Sequence, residues 1–81
     1  LKIIVRNKIK EIMQLKKVSI RELGRRIKMS YPNTRDLINR ESLNNTTIVT
    51  LLAVAESLGV DIKDLYEADI YQEESDEKIF L

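Results

Sequence analysis

Residues 19 to 40, SIRELGRRIKMSYPNTRDLINR, decide how the rest of the chain is read. Ser19 and Glu22 form an S-x-x-E capping box, in which hydroxyl and carboxylate satisfy backbone N–H groups at a helix start. A helix beginning there puts Leu23 and Ile27 on one face. Gly24, between them, is the small residue that lets a second helix come close. Lys28 and Met29 are the expected turn. Ser30 is the next N-cap candidate, and Pro32 is tolerated just inside a helix start, where its missing N–H has no partner to lose. Thr34, Leu37 and Ile38 then keep the i, i+3, i+4 spacing of a buried stripe, leaving Tyr31, Pro32, Arg35, Asp36, Asn39 and Arg40 facing out. A generic helical hairpin shares the capping box. The whole set of cap, small residue, short turn, second cap and polar-faced second helix is the pattern of a helix-turn-helix.

The chain has 81 residues with one Pro and two Gly, which suits one domain near the size at which a single core only just suffices. It contains no Cys and no His, so disulfides, thiolate or imidazole metal sites and Cys- or His-centred nucleophilic catalysis are excluded. No apolar run approaches a membrane span and nothing resembles a signal peptide, so a cytoplasmic protein with no membrane partner is expected. Carboxylates crowd toward the end of the chain, without a glycine phosphate loop or a metal-ligand cluster. Hence no enzyme activity, catalytic residue, metal or cofactor is expected.

The net charge of +1 conceals a division. Residues 1–40 carry twelve Lys or Arg against Glu11, Glu22 and Asp36, a balance of +9, whereas residues 41–81 carry two basic and ten acidic residues, a balance of −8. Ordinary solubility favours mixed signs, so this segregation points to a polyanion partner for the first half.

In chain order, residues 1–5, LKIIV, read as a short strand or extended arm. Because position 1 is Leu, an initiator Met is expected ahead of it. Asn7 can cap a first helix reaching about Lys16, with Ile9, Ile12 and Met13 buried. Leu15 falls off that stripe, as a core edge or a contact for a second subunit. Val18 is placed as a hydrophobic staple before Ser19. After a polar loop anchored by Leu43, Asn45 or Thr46 starts a fourth helix with Ile48, Leu51, Leu52, Ala55 and Leu58 as its stripe, stopped by Gly59 at positive φ. Asp61 caps a short fifth helix, DIKDLYE, whose Ile62 and Leu65 close the core. The expected fold is all-α: a compact five-helix bundle over residues 7–67, with an arm or strand at 1–6 and an acidic C-terminal tail at 68–81. The tail ends in Lys78, Ile79, Phe80 and Leu81. Those last apolar residues either form a second strand beside residues 3–5, within a subunit or between two, or fray.

The capping box, the small Gly24, Met29-Ser30, Asp36-Leu37-Ile38-Asn39 and TLLAVAESLGVDIKDLYE together resemble the lambda-repressor-like, Xre/Cro family of helix-turn-helix regulators. The resemblance covers about residues 7–67 and is specific as a set. It implies a five-helix domain that lays its third helix in the DNA major groove. It further implies base readout by Tyr31, Pro32, Asn33, Arg35 and Asp36, and phosphate contacts from Ser19, Arg21, Asn39, Arg40 and Ser42. Side-chain chemistry agrees in part: Arg35 suits guanine or phosphate, Asn33 adenine, and Asp36 cytosine N4. Lys17 and Lys28 stand where the family commonly has Gly, so both are expected to take left-handed backbone angles at about 1 kcal/mol or more each.

The leading expectation is thus a sequence-specific double-stranded DNA-binding regulator, a repressor and homodimer. The alternative is a protein-interaction module, such as an antitoxin or antirepressor, acting through the bundle or the acidic tail.

Overall fold

The computed structural model describes residues 1–72. Strand β1 (Lys2–Asn7) leads into helices α1 (Ile9–Lys16), α2 (Ile20–Ile27), α3 (Tyr31–Asn39) and α4 (Ile48–Leu58). A single 3-10 turn (Ile62–Leu65) follows, and strand β2 (Tyr66–Tyr71) returns antiparallel to β1.

Local chemistry sets the helix boundaries. Ser19, Ser30 and Thr47 accept the backbone N–H of Glu22, Asn33 and Thr50 at 3.1, 3.3 and 3.2 Å. Helices α1, α2 and α4 end on residues in the left-handed region: Lys17 (φ 58°), Lys28 (φ 57°) and Gly59 (φ 69°). After each comes an apolar residue, Val18, Met29 or Val60, whose N–H reaches back to Met13, Gly24 or Ala55 while its side chain packs on the core. This is one stop signal used three times, a left-handed residue then a hydrophobic one. At the two lysines it carries a steric cost of about 1–2 kcal/mol each that a glycine would avoid.

The core joins Ile9 and Met13 of α1, Leu23 of α2, Leu37 and Ile38 of α3, Leu43, four residues of α4 and Leu65. Gly24 and Thr34 lie where α2 meets α3. A Cβ on Gly24 would stand 2.8 Å from Thr34 Oγ1 and 2.9 Å from the Met29 carbonyl oxygen, so the helices meet through the missing side chain. Thr34 is fully buried and its hydroxyl donates to the Ser30 carbonyl at 2.8 Å.

Several expectations are corrected. The fifth helix is only the 3-10 turn, so among the described residues the bundle has four helices and a two-stranded sheet. Leu65 is buried, its carbonyl accepts the Lys8 N–H at 2.8 Å, and the chain then goes extended at Tyr66 (φ −149°) to pair with β1. Tyr66–Tyr71 therefore lies beside β1, where residues 79–81 are one of the expected alternatives; those residues lie outside the described ones, and β2 runs through position 68, the expected start of the tail. The cap of α4 is Thr47 rather than Asn45 or Thr46. Its buried stripe is Leu51, Val54, Ala55 and Leu58, whereas Ile48 and Leu52 are 60% and 52% exposed. Leu15 is exposed and is no core edge. The Ser19 half of the capping box forms, but the Glu22 carboxylate turns to Arg25 and Arg26.

The N-cap residue of α1 is Lys8, which has no side-chain cap of its own, and Asn7 just before it supplies that bond instead. Its Oδ1 accepts the Ile9 N–H at 2.9 Å, while its side-chain amide donates to the carbonyls of Leu37 at 2.8 Å and Arg40 at 3.0 Å. One side chain thus joins the start of α1 to the end of α3.

Candidate nucleic-acid interface

The buried stripe of α3 points the opposite side of that helix outward, and Tyr31, Pro32, Asn33, Arg35, Asp36 and Asn39 are all exposed on it. Tyr31, Pro32, Arg35, Asp36 and Asn39 line an open concavity of about 410 Å³. A second hollow of about 250 Å³ lies between α3 and the start of α4, bounded by Asn33, Asp36 and Arg40 on one side and Asn45, Thr46, Thr47 and Thr50 on the other. Polar side chains therefore flank the helix on both sides.

The side chains differ in how free they are. Among the described residues Arg35 makes no ion pair or hydrogen bond, so its guanidinium is available to a ligand. The Arg21 guanidinium stands 5.5 Å from the centroid of the Tyr31 ring, which gives the first turn of α3 a positive charge supplied by α2. Arg40, by contrast, is engaged: it donates to Asp36 through Nη2 at 2.8 Å and Nε at 3.1 Å, and to Thr46 Oγ1 at 3.0 Å. That pair offsets the negative charge Asp36 would turn toward a polyanion. Asn39 accepts from Lys10 Nζ at 3.1 Å, so α1 brings a lysine to the end of α3. Ser19 is exposed at the head of α2, its hydroxyl capping the helix.

Ser42 stands apart from this group. Its hydroxyl bonds to Asn44, it bridges to Arg6 of β1, and it lines a different hollow with Ile4, Arg6 and Lys8. In the sequence Asn45 and Thr46 read only as the start of α4, with no sign that they lie beside α3. Nothing local marks Lys10 either, because its neighbour Asn39 lies on another element.

On α2 the Glu22 carboxylate accepts from Arg25 Nη2 at 2.5 Å and Arg26 Nε at 2.9 Å, and Arg26 also donates to the Ser57 carbonyl of α4. Hydrogen bonds from Arg25 and then Arg26 lower the Glu22 pKa from 4.5 to about 2. A depressed carboxylate stabilises the fold above its unfolded pKa, and that contribution is lost as pH falls through the folded value. Between pH 4.5 and 2, therefore, wild-type Tm should fall more steeply than that of Glu22→Gln; parallel curves would show that the ion pair adds nothing.

Residues 8–69 match the family model for the Cro/C1-type HTH DNA-binding domain. The chain belongs to that family. The match spans α1 to Asp69 within β2 and leaves β1 outside it. No curated protein and no solved structure matched the chain. At the level of the family, a Cro/C1-type domain is a DNA-binding regulatory domain, and DNA is its partner. No helix of this Cro/C1-type domain is long and apolar enough to cross a membrane, among the described residues.

Proposed function

We propose that the chain is a sequence-specific transcriptional repressor that acts in the cytoplasm as a homodimer and inserts α3 into the major groove of double-stranded DNA. The observation that carries this is the outward face of α3, held by the buried Thr34, Leu37 and Ile38 and set in the basic half of the chain. Arg35, Asn33, Tyr31, Pro32 and Asp36 face base edges, with the free Arg35 as the principal reader. Arg21, Ser19 and Asn39 contact phosphates, assisted by Lys10. Arg40 acts from its bond to Asp36, orienting that carboxylate.

Two half-sites read by two copies would lie about one helical turn apart. The test is fluorescence anisotropy with random-sequence duplex and with a selected operator across a salt series. Arg21→Ala should weaken both duplexes alike and reduce the salt slope by about one. Arg35→Ala should cost about 1–3 kcal/mol, roughly 5- to 150-fold, on the operator, with less effect on random DNA. Absence of salt-sensitive binding by wild type at low salt would end the proposal.

A second reading, a module that binds another protein, is favoured by one observation: Ile48, Val49 and Leu52 are exposed together on α4. Loss of an operon phenotype in Leu52→Lys, with DNA affinity unchanged, would support it.

A further inference from the structure

The two edges of the β-ribbon are treated differently. On its outer side β1 is covered by residues 41–44: Asn7 N–H donates to the Glu41 carbonyl at 3.1 Å, Leu43 N–H to the Val5 carbonyl at 2.8 Å, and the Asn44 side chain takes the Val5 N–H at 2.7 Å and donates to the Ile3 carbonyl at 2.8 Å. Odd residues of β1 thus bond outward, so Lys2, Ile4 and Arg6 bond inward to Tyr71, Asp69 and Glu67. By the same alternation the N–H and C=O groups of Ala68 and Ile70 point away from β1, and among the described residues they have no partner. β2 is therefore an open edge on a ribbon of two strands, a form that is marginal by itself in water. Beside that edge Ile3 and Ile70, opposite one another on one face, are 45% and 66% exposed.

We infer that this edge receives β2 of a second copy, antiparallel about a two-fold axis through Ile70, to give a continuous four-stranded sheet. Charge selects the register. Pairing centred on Ala68 would set Glu67 against the partner's Asp69. Centring on Asp69 would set it against the partner's Asp69. Directly opposed like charges are destabilising in either case. Centring on Ile70 instead opposes no like charges within Tyr66–Tyr71: it joins Ile70 to the partner's Ile70 and places Asp69 beside the partner's Tyr71, and Glu67 would meet the partner's Glu73 only two residues past the end of β2. Asp69 also keeps its own cation, Arg6, on the other face of the ribbon. Ile3, Ile70 and their two symmetry mates then close into one apolar cluster. The inference rests on the dimer in the proposed function and identifies its surface.

The chain has no cysteine, so single cysteines report the pairing cleanly. In the Ile70-centred register the two position-70 Cα atoms lie about 5.5 Å apart, within disulfide reach, whereas the two position-68 Cα atoms are about 14 Å apart. Under mild oxidation of the full chain, Ile70→Cys should form a disulfide dimer at least ten times faster than Ala68→Cys. In sedimentation equilibrium, wild type should dimerise at least ten-fold more tightly than Ile70→Lys, with matching far-UV circular dichroism. Equal cross-linking at both positions, or a wild-type monomer, overturns the inference. A wild-type dimer without Ile70→Cys cross-linking overturns the surface alone. Cross-linking without DNA binding leaves the surface intact and removes the DNA reading.

Discussion

Gly24→Val should destabilise the domain by about 3 kcal/mol or more, near the upper end of what overpacking a core does. For a domain of this size that corresponds to a fall in Tm of roughly 12–24 °C. The ideal Cβ already meets Thr34 Oγ1 at 2.8 Å and the Met29 carbonyl at 2.9 Å. Neither neighbour can yield easily: Thr34 is fully buried with its hydroxyl bonded to Ser30, and Met29 is held by its N–H bond to the Gly24 carbonyl. The two branches of valine enlarge the conflict, and relief requires α2 and α3 to separate. Gly24→Ala refines the test. Alanine favours a helix interior over glycine by about 1 kcal/mol, so a purely intrahelical role for Gly24 predicts a higher Tm in the alanine variant. Close approach predicts a lower one. Thermal melts of both variants, with wild type, separate the two.

Asn7→Ala should cost about 2–3 kcal/mol, more than a lost cap alone. It removes the acceptor for the Ile9 N–H and leaves the Leu37 and Arg40 carbonyls without their donor. Asn7→Asp divides these roles, because a carboxylate still accepts at the head of α1 but cannot donate to carbonyls at the end of α3. If the bridge to α3 matters, Asn7→Asp is at least as destabilised in urea as Asn7→Ala, and amides of α3 exchange faster in both. If only the α1 cap matters, the aspartate variant recovers near wild-type stability. Because α3 carries the proposed readout face, operator affinity should follow the α3 exchange rates.

Much of the scaffold was legible locally. Ser19 and Ser30 announce helix starts through hydroxyls that reach only three residues ahead, and the stripe of Thr34, Leu37 and Ile38 follows from the helix repeat. The left-handed angles at Lys17 and Lys28 were expected from their positions in the resemblance, and both occur. In the candidate site, the exposure of Tyr31, Pro32, Arg35 and Asp36 came from periodicity too. Even the bond between Asp36 and Arg40 was within reach, since the two stand four residues apart on one helix. Glu22 shows where a local motif fails: two arginines within one turn compete for the carboxylate that the capping box requires.

By itself, then, the sequence determined the helix-turn-helix, its caps and stops, and which side of α3 faces out, because each depends on neighbours within about one helical turn. Only the tertiary structure decided that Tyr66–Tyr71 is a strand, that Asn7 and Lys10 reach α3, that Ser42 belongs to the strap along β1, and that Ile48 and Leu52 remain exposed. Those outcomes depend on which distant segment is available to bond or to cover a surface. β1 supplied a ladder to the residues after Leu65, whereas among the described residues no element covers the outer face of α4.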